Sequence, residues 1–466
     1  MNINSLRLKE KLLKRAARVS VIGQGYIGLP LALLLANSGF KVTGYDVNSE
    51  LVKELSRGET RLENETGVRD LLMKNLGVNY FPTSDPRELM ESDVVIIAVP
   101  TPKRDGFIDL SMLLHALKLS LSSVKRGGLV VVESTLPPKS FENLVLSEIA
   151  KFGMRIGGDI FASYCPERAM PGKLIEELVR SYRVIGAVDE DSAELSKALY
   201  ESFVEGEIEV TDPLTAEIVK LVENSYRDVN IAFANEVARV CEVLGADVRR
   251  VRELANKHPR VSMLMPGIGV GGSCLTKDPL FLYWIAKDMG YPPELISLAR
   301  RINQSMPYHY AELIDEFVRS KKSGKGVVSI LGLTYKGDVP DTRESPAGNL
   351  VRELIRRGHL VKVYDPIVSE HFGAQYFREF EEAVKGADVV VIASDHSEFK
   401  KLDLRKLRAL AGEDPVLLFD GKLLLDADEA EASGFIYASV GNIASLINIV
   451  SRKLSKVGEI ISNIPE

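Results

Sequence analysis

Cysteine is scarce in this sequence. Its three cysteines, Cys165, Cys241 and Cys274, are too few and too scattered for a disulfide framework, so a reducing, cytoplasmic setting is expected. No metal-ligand spacing links them, and no metal is expected. A basic excess is missing too. With a formal net charge of −6 the chain has little with which to neutralise a phosphate backbone, which argues against a nucleic-acid partner. Long apolar runs are also absent. Residues 19–36 approach membrane-spanning length, but Gln24, Gly25, Gly28 and Pro30 break them as a strand, turn and helix would, so no membrane segment is expected. The N-terminal stretch mixes leucines with Lys9, Lys11, Lys14, Arg15 and Arg18. It predicts a short basic amphipathic helix and lacks the apolar core of a signal peptide.

What is present is a chain of 466 residues, 45% hydrophobic, enough for two or three cores. A β-branched run at 19–22 leads into GQGYIG at 23–28, a helical pattern, and a strand ending at Asp46. This is the dinucleotide fingerprint: Gly23 makes the turn, Gly25 admits the pyrophosphate and Gly28 lets helix pack on strand. An acid at Asp46 accepts from ribose hydroxyls and repels a 2′-phosphate, which predicts NAD rather than NADP. The α/β alternation continues through DVVIIAVP at 93–100, LVVVE at 129–133 and a strand near 159–162. Thr101 and Pro102, Ser134 and Thr135, and Glu167 and Arg168 follow those strands, at the carboxyl ends where open parallel sheets bind ligands.

Residues 211–244 form the longest helical pattern, with Thr211 or Asp212 as cap and Pro213 in the first turn. Lys220 and Asn224 are four apart and share a face near Glu217. A helix this long between two α/β units predicts a spine and a dimer contact. Beyond it, MPGIGVGGSCLTKDP at 265–279 sets Gly267, Gly269, Gly271 and Gly272 before Cys274, Lys277 and Asp278. A soft nucleophile, a cation and a carboxylate lie within five residues. The bland alternative is a tight turn before an inert cysteine. From residue 326 the α/β pattern starts again, VVSILG to VYD and then DVVVIAS, as a weak internal repeat. This copy lacks the glycine fingerprint and carries Lys336, Asp338, Asp341, Arg343 and Glu344 instead, which suits a different phosphorylated ligand.

These segments in order, GQGYIGLP, VPTP, ESTLPPKS, PERAMPG, KLVENSYRDVNIAFANE, GVGGSCLTKD and GLTYKGDVPDTRESP, resemble the UDP-glucose/GDP-mannose dehydrogenase family from residue 19 to about 442. The resemblance implies an α/β fold with two Rossmann-like domains, the first binding NAD and the second a UDP-sugar, joined by a long central helix. The expected divisions are 1–210, 211–325 and 326–466. It implies four-electron oxidation of a UDP-sugar at C6, alcohol to carboxylate, with Cys274 attacking the C6 aldehyde to give a thiohemiacetal and then a thioester. Lys220 and Asn224 would stabilise the oxyanion, Asp278 would order or activate a water, and Glu167 would do general-base or hydrolytic work.

Cofactor contacts are implied for Gly23, Gly25, Tyr26, Ile27, Gly28, Asp46, Thr101, Ser134, Thr135, Lys277 and Arg343. Substrate contacts are implied for Glu167, Arg168, Lys220, Asn224, Arg260, Gly271 and Lys336. Within the family, HPRV at 258–261, MPGIGVGG, PERAMPG and Pro171 resemble the UDP-N-acetyl-mannosamine branch, in which Arg260 would reach a neighbouring subunit's substrate in a dimer or larger oligomer. Ser273 and Lys277 instead resemble the UDP-glucose enzymes. The implied order of substrates is UDP-N-acetyl-D-mannosamine, then UDP-glucose, then UDP-N-acetylglucosamine.

Overall fold

The structure, a computed structural model, describes residues 2–446 apart from 105–106, 170–171, 323 and 414. Pro171 and the tail from 447 lie outside the described residues. The chain divides into two compact units, up to Glu223 and from Asn224, each built on its own sheet.

In the first unit the strands are β1 (Arg18–Ile22), β2 (Lys41–Tyr45), β3 (Tyr80–Thr83), β4 (Ser92–Ile97), the hairpin pair β5 (Lys103–Arg104) and β6 (Phe107–Ile108), β7 (Val124–Val132), β8 (Ile160–Tyr164), β9 (Arg183–Ala187) and β10 (Ile208–Thr211). The hairpin stands apart, and the other eight form one sheet in the order β10-β9-β8-β7-β4-β1-β2-β3. All neighbours are parallel except β8 and β9. Strands buried on both faces read as continuous apolar runs, and alternate side chains feed separate cores. Val19, Val21, Val94 and Ile96 join one cluster, while Ile22, Val95, Ile97 and Val130 join another. The basic N-terminal stretch is the helix Ile3–Leu13, tied down by Lys9 to Glu194 and Lys11 to Asp93.

The second unit holds β11 (Val327–Leu331), β12 (Leu360–Tyr364), β13 (Gln375–Tyr376), β14 (Val389–Ile392), β15 (Leu417–Asp420) and β16 (Ile436–Ser439). They form an all-parallel sheet in the order β13-β12-β11-β14-β15-β16. The run β3-β2-β1-β4-β7-β8 of the first sheet matches that order strand for strand. The repeat seen in the sequence is a repeat of fold. In each sheet the strand order reverses between the first strand and its fourth, β1 beside β4 and β11 beside β14, and that switch point opens a crevice at the carboxyl ends.

The long helix runs Pro213–Leu244 through the division of the chain at Glu223. Asp212 is its cap: Oδ1 accepts from Thr215 N at 2.9 Å and Oδ2 from Thr215 Oγ1 at 2.6 Å. Pro213, which has no N–H to satisfy, sits in the first turn. Among the described residues no helix is long and apolar enough to cross a membrane.

Candidate active site

The fingerprint loop is shaped by close contact. A Cβ at Gly28 would fall 1.8 Å from Gly23 O, so only glycine lets the helix Gly28–Asn37 start against the turn. At Gly25 a Cβ would meet nothing within 4 Å, so backbone N–H groups at a helix start face open space, the setting a pyrophosphate needs. Asp46 follows β2 and is half-buried. Its Oδ2 accepts from Gln24 N at 2.8 Å and its Oδ1 from Asn48 N at 2.9 Å, so the acid holds the glycine loop. These residues fit a dinucleotide.

The strand-end pairs TP and ST are stapled to each other. Thr101 Oγ1 donates to Thr135 O at 2.9 Å, while Ser134 Oγ accepts from Val99 N at 2.9 Å and donates to Val99 O at 2.7 Å. Both side chains are buried. They set the shape of the crevice floor.

Glu167 is held on both oxygens. Oε1 accepts from the N–H groups of Arg168 and Ala169, and Oε2 lies 3.3 Å from Arg183. Arg168 NH2 pairs with Glu223 at 3.0 Å and its guanidinium lies over the Tyr182 ring. Its Nε and Nη1 are buried with no acceptor among the described residues, two donors whose desolvation is not offset. Behind them Arg183 also meets Glu133 at 3.0 Å and Cys165 Sγ at 3.4 Å. Burial pushes the Glu133 carboxyl up to about 7, with Arg183 pulling it back. Glu133 Oε2 is buried without a hydrogen bond among the described residues, so part of its desolvation cost is not offset. Cys165 is pushed up to about 12 by burial, which leaves it inert.

On the central helix Lys220 is only 8% exposed and makes no ion pair among the described residues, contrary to the solvated position usual for a helical lysine. One turn earlier Glu217 anchors this part of the helix: Oε1 accepts from Phe141 N at 2.6 Å and Oε2 from Lys139 N at 2.7 Å, fixing the helix to the turn that follows Ser134 and Thr135.

In the second unit Cys274 is exposed on a loop pressed against residues 335–346. Gly272 N donates to Arg343 O at 3.0 Å, and a Cβ at Gly271 would lie 2.7 Å from both Glu344 O and Tyr335 Cβ. Gly272 has φ +84°, a conformation that glycine adopts without strain. Asp278, fully buried, takes Asn224 Nδ2 on Oδ2 at 2.6 Å and Lys277 Nζ on Oδ1 at 2.7 Å. Lys277 thus serves the carboxylate, with its ammonium over the Phe281 ring. Arg343 lies on the facing 335–346 loop: its guanidinium is held above its ordinary value first by the hydrogen bond to Asp341, against burial, and then by the charges of Asp341, Tyr335 and Cys274. Lys336 is half-buried on the same loop. Arg260 is exposed on a turn, its N–H on His258 Nδ1 at 3.3 Å.

Three family models match the chain: the NAD binding domain of the UDP-glucose/GDP-mannose dehydrogenase family at residues 17–204, its central domain at 214–305 and its UDP binding domain at 329–427. The chain is similar to the UDP-N-acetyl-D-mannosamine dehydrogenase of Methanocaldococcus jannaschii, with 42% identity over 433 residues that cover 90% of this chain and 95% of that protein. The chain belongs to the UDP-glucose/GDP-mannose dehydrogenase family. Among solved structures it is similar to the UDP-D-ManNAc dehydrogenase of Pyrococcus horikoshii, with TM-score 0.86, 39% identity and coverage of 92% of this chain and 100% of that one. The UDP-N-acetyl-mannosamine dehydrogenase of Staphylococcus aureus gives TM-score 0.81, 39% identity and coverage of 92% and 100%. This nucleotide-sugar dehydrogenase takes NAD as its cofactor and a UDP-sugar as its substrate.

The tertiary structure ties these loops together through residues that no motif marked. Glu65 is buried; it accepts from Tyr26 Oη in the fingerprint and from Gly172 N at 2.7 Å and Leu174 N at 3.2 Å. Tyr26 and Ile27 pack with Ala169 against Leu174 and Leu178. The cofactor loop is therefore joined to the loop that carries Glu167 and Arg168. Glu65 lies in the polar run RLENETG, which reads as solvated loop, and only the contact reveals it. The Arg183 and Glu133 network is equally silent in sequence.

Proposed function

We propose that this dehydrogenase oxidises UDP-N-acetyl-D-mannosamine at C6 to UDP-N-acetyl-D-mannosaminuronate, with two successive hydride losses and a covalent step at Cys274. The observation that carries the reading is the packing of the cysteine loop on residues 335–346 through Gly271, Gly272 and Arg343, which sets an exposed cysteine on the unit that contains the UDP binding domain. The names of the relatives described above support the choice of sugar.

The 23–28 loop and Asp46 would hold NAD, with Thr101, Ser134 and Thr135 shaping the floor and Arg343 and Lys277 as further contacts. Bound NAD supplies the hydride acceptor. Glu167 keeps the 165–169 turn in shape, and the two unpartnered nitrogens of Arg168 bind substrate oxygens. Lys336 and the Gly271 backbone bind the UDP-sugar. Cys274 Sγ bonds to the aldehyde carbon, giving a thiohemiacetal; hydride loss from that carbon leaves a thioester, which water cleaves. Asn224 uses one amide N–H on Asp278 and has a second for the oxyanion. Lys220 brings a buried cation whose cost is offset when negative charge develops beside it. Asp278 orders the hydrolytic water.

The proposal includes a homodimer packed through the central helix, with Arg260 serving the neighbour's substrate, and functional divisions at 1–210, 211–325 and 326–466. Exposed Ile218, Val222, Tyr226, Phe233, Val240 and Leu244 recur at helical spacing along Pro213–Leu244 and support the dimer. The test is to incubate the enzyme with NAD and, separately, UDP-N-acetyl-D-mannosamine, UDP-glucose and UDP-N-acetylglucosamine. Two NADH per sugar, and kcat/KM about a hundredfold higher for the mannosamine sugar, are expected. Equal or better turnover of UDP-glucose overturns the substrate assignment.

A further inference from the structure

A chain of buried polar side chains runs behind the cysteine loop and ends on it twice. Arg300 Nη1, on the helix Glu294–Lys321, donates to Asp228 Oδ1 at 2.6 Å and to Leu275 O at 3.1 Å, the carbonyl next to Cys274. Asn303 Nδ2 donates to the same Asp228 Oδ1 at 2.8 Å and to Asp228 O at 3.0 Å. Asn303 Oδ1 accepts from Asn235 Nδ2 at 2.9 Å, and Asn235 Oδ1 accepts from Gly267 N at 2.9 Å. All four side chains are at most 3% exposed. On the central helix Asn224, Asp228 and Asn235 are spaced by four and seven residues and so share one face. That face reaches the loop at three points: Asp278 directly, Leu275 through Arg300, and Gly267 directly.

A buried ion pair with hydrogen-bonded amides is an expensive way to pack two helices, since apolar residues of the same volume serve at least as well for stability. What the polar chain adds is direction: each bond fixes a donor and an acceptor in place. We infer that Asp228, Arg300, Asn303 and Asn235 form a clamp that positions Cys274 by gripping its glycine-rich loop at Gly267 and Leu275. They are positioning residues. Misplacing a nucleophile by about 1 Å costs on the order of a hundredfold in rate, whereas the first hydride loss, alcohol to aldehyde, makes no bond to sulfur.

The inference rests on Cys274 as nucleophile, and the two separate in single-turnover NADH traces for Arg300→Lys, Asn235→Ala and Cys274→Ala. Lysine keeps the buried charge but lacks the guanidinium reach to both Asp228 and Leu275 O. Alanine at 235 is a favourable helix residue and releases only Gly267. In both clamp variants the first NADH phase should stay within about twofold of wild type, and the second should slow roughly ten- to a hundredfold. Cys274→Ala should give the first phase alone. If Cys274→Ala shows both phases, the nucleophile reading falls. If it loses the second phase while folded clamp variants keep both at wild-type rates, or lose both equally, the clamp is structural only and the inference falls. Should Arg300→Lys not fold, the Asn235→Ala traces alone decide between these outcomes.

Discussion

At the residue scale the proposed function turns on a single sulfur atom, which would separate an alcohol dehydrogenase from an enzyme that delivers an acid. Replacing Cys274 by serine leaves a hydroxyl that is far harder to ionise than a thiol, so acid formation should fall by roughly a thousandfold or more. Steady-state turnover near wild type would remove the cysteine from the chemistry. Asp46 would carry two duties, because it supports Gln24 N besides its proposed place at the ribose. Asp46→Ala should therefore raise the Michaelis constant for NAD about tenfold, while NADP gains less than NAD loses, since the loop is loosened for both. Wild-type enzyme using NAD and NADP with equal efficiency would contradict the reading of that acid.

At the element scale, two carboxylates that fasten elements together also set a pH dependence. Glu133 closes β7 onto Arg183 at the start of β9, and Glu217 fastens the central helix to the turn at 139–141. Burial pushes each up to about 7, against Arg183 for the first and against the N–H groups of Phe141 and Lys139 for the second. Each folded carboxyl then keeps its proton where the unfolded one, near 4.5, has lost it. The native chain binds more protons across that interval, so stability falls as pH rises from about 4.5 to about 7. Melting temperature should drop by a few degrees over the window, and Glu133→Gln should shrink the drop, with the Glu133→Gln, Glu217→Gln double variant nearly flattening it. An unchanged slope in the double variant assigns the effect elsewhere.

At the scale of the whole molecule the question is how many chains make one site. Arg260 is exposed and has no partner in the site described above, and the central helix presents an apolar line to solvent. Arg260→Ala should raise the Michaelis constant for the UDP-sugar about tenfold and leave that for NAD unchanged. Mixing Arg260→Ala with Cys274→Ala after subunit exchange gives heterodimers in which one site has both its cysteine and a neighbour's arginine. Activity should recover toward half of wild type; verified heterodimers as weak as the parents would return Arg260 to its own subunit.

The sequence by itself determined the strands, since DVVIIAVP and DVVVIAS are buried on both faces in any parallel sheet. It determined the fingerprint as well, because a Cβ at Gly28 cannot pass Gly23 O. Cys274, Asn224 and Asp278 stood out as candidates because reactive side chains were grouped in local motifs, and their roles belong to the proposed function. What only tertiary structure decided were the long-range pairings. Lys277 turned to Asp278, while the backbone of Arg343, far along the chain, closed on Gly272 beside the cysteine. Glu65 joined the cofactor loop to the 165–174 loop, and Asn235, Asn303, Arg300 and Asp228 formed a buried chain across two helices. A polar residue's partner depends on which distant donor the packing brings within about 3 Å; periodicity reports which face it lies on and is silent about what that face will meet.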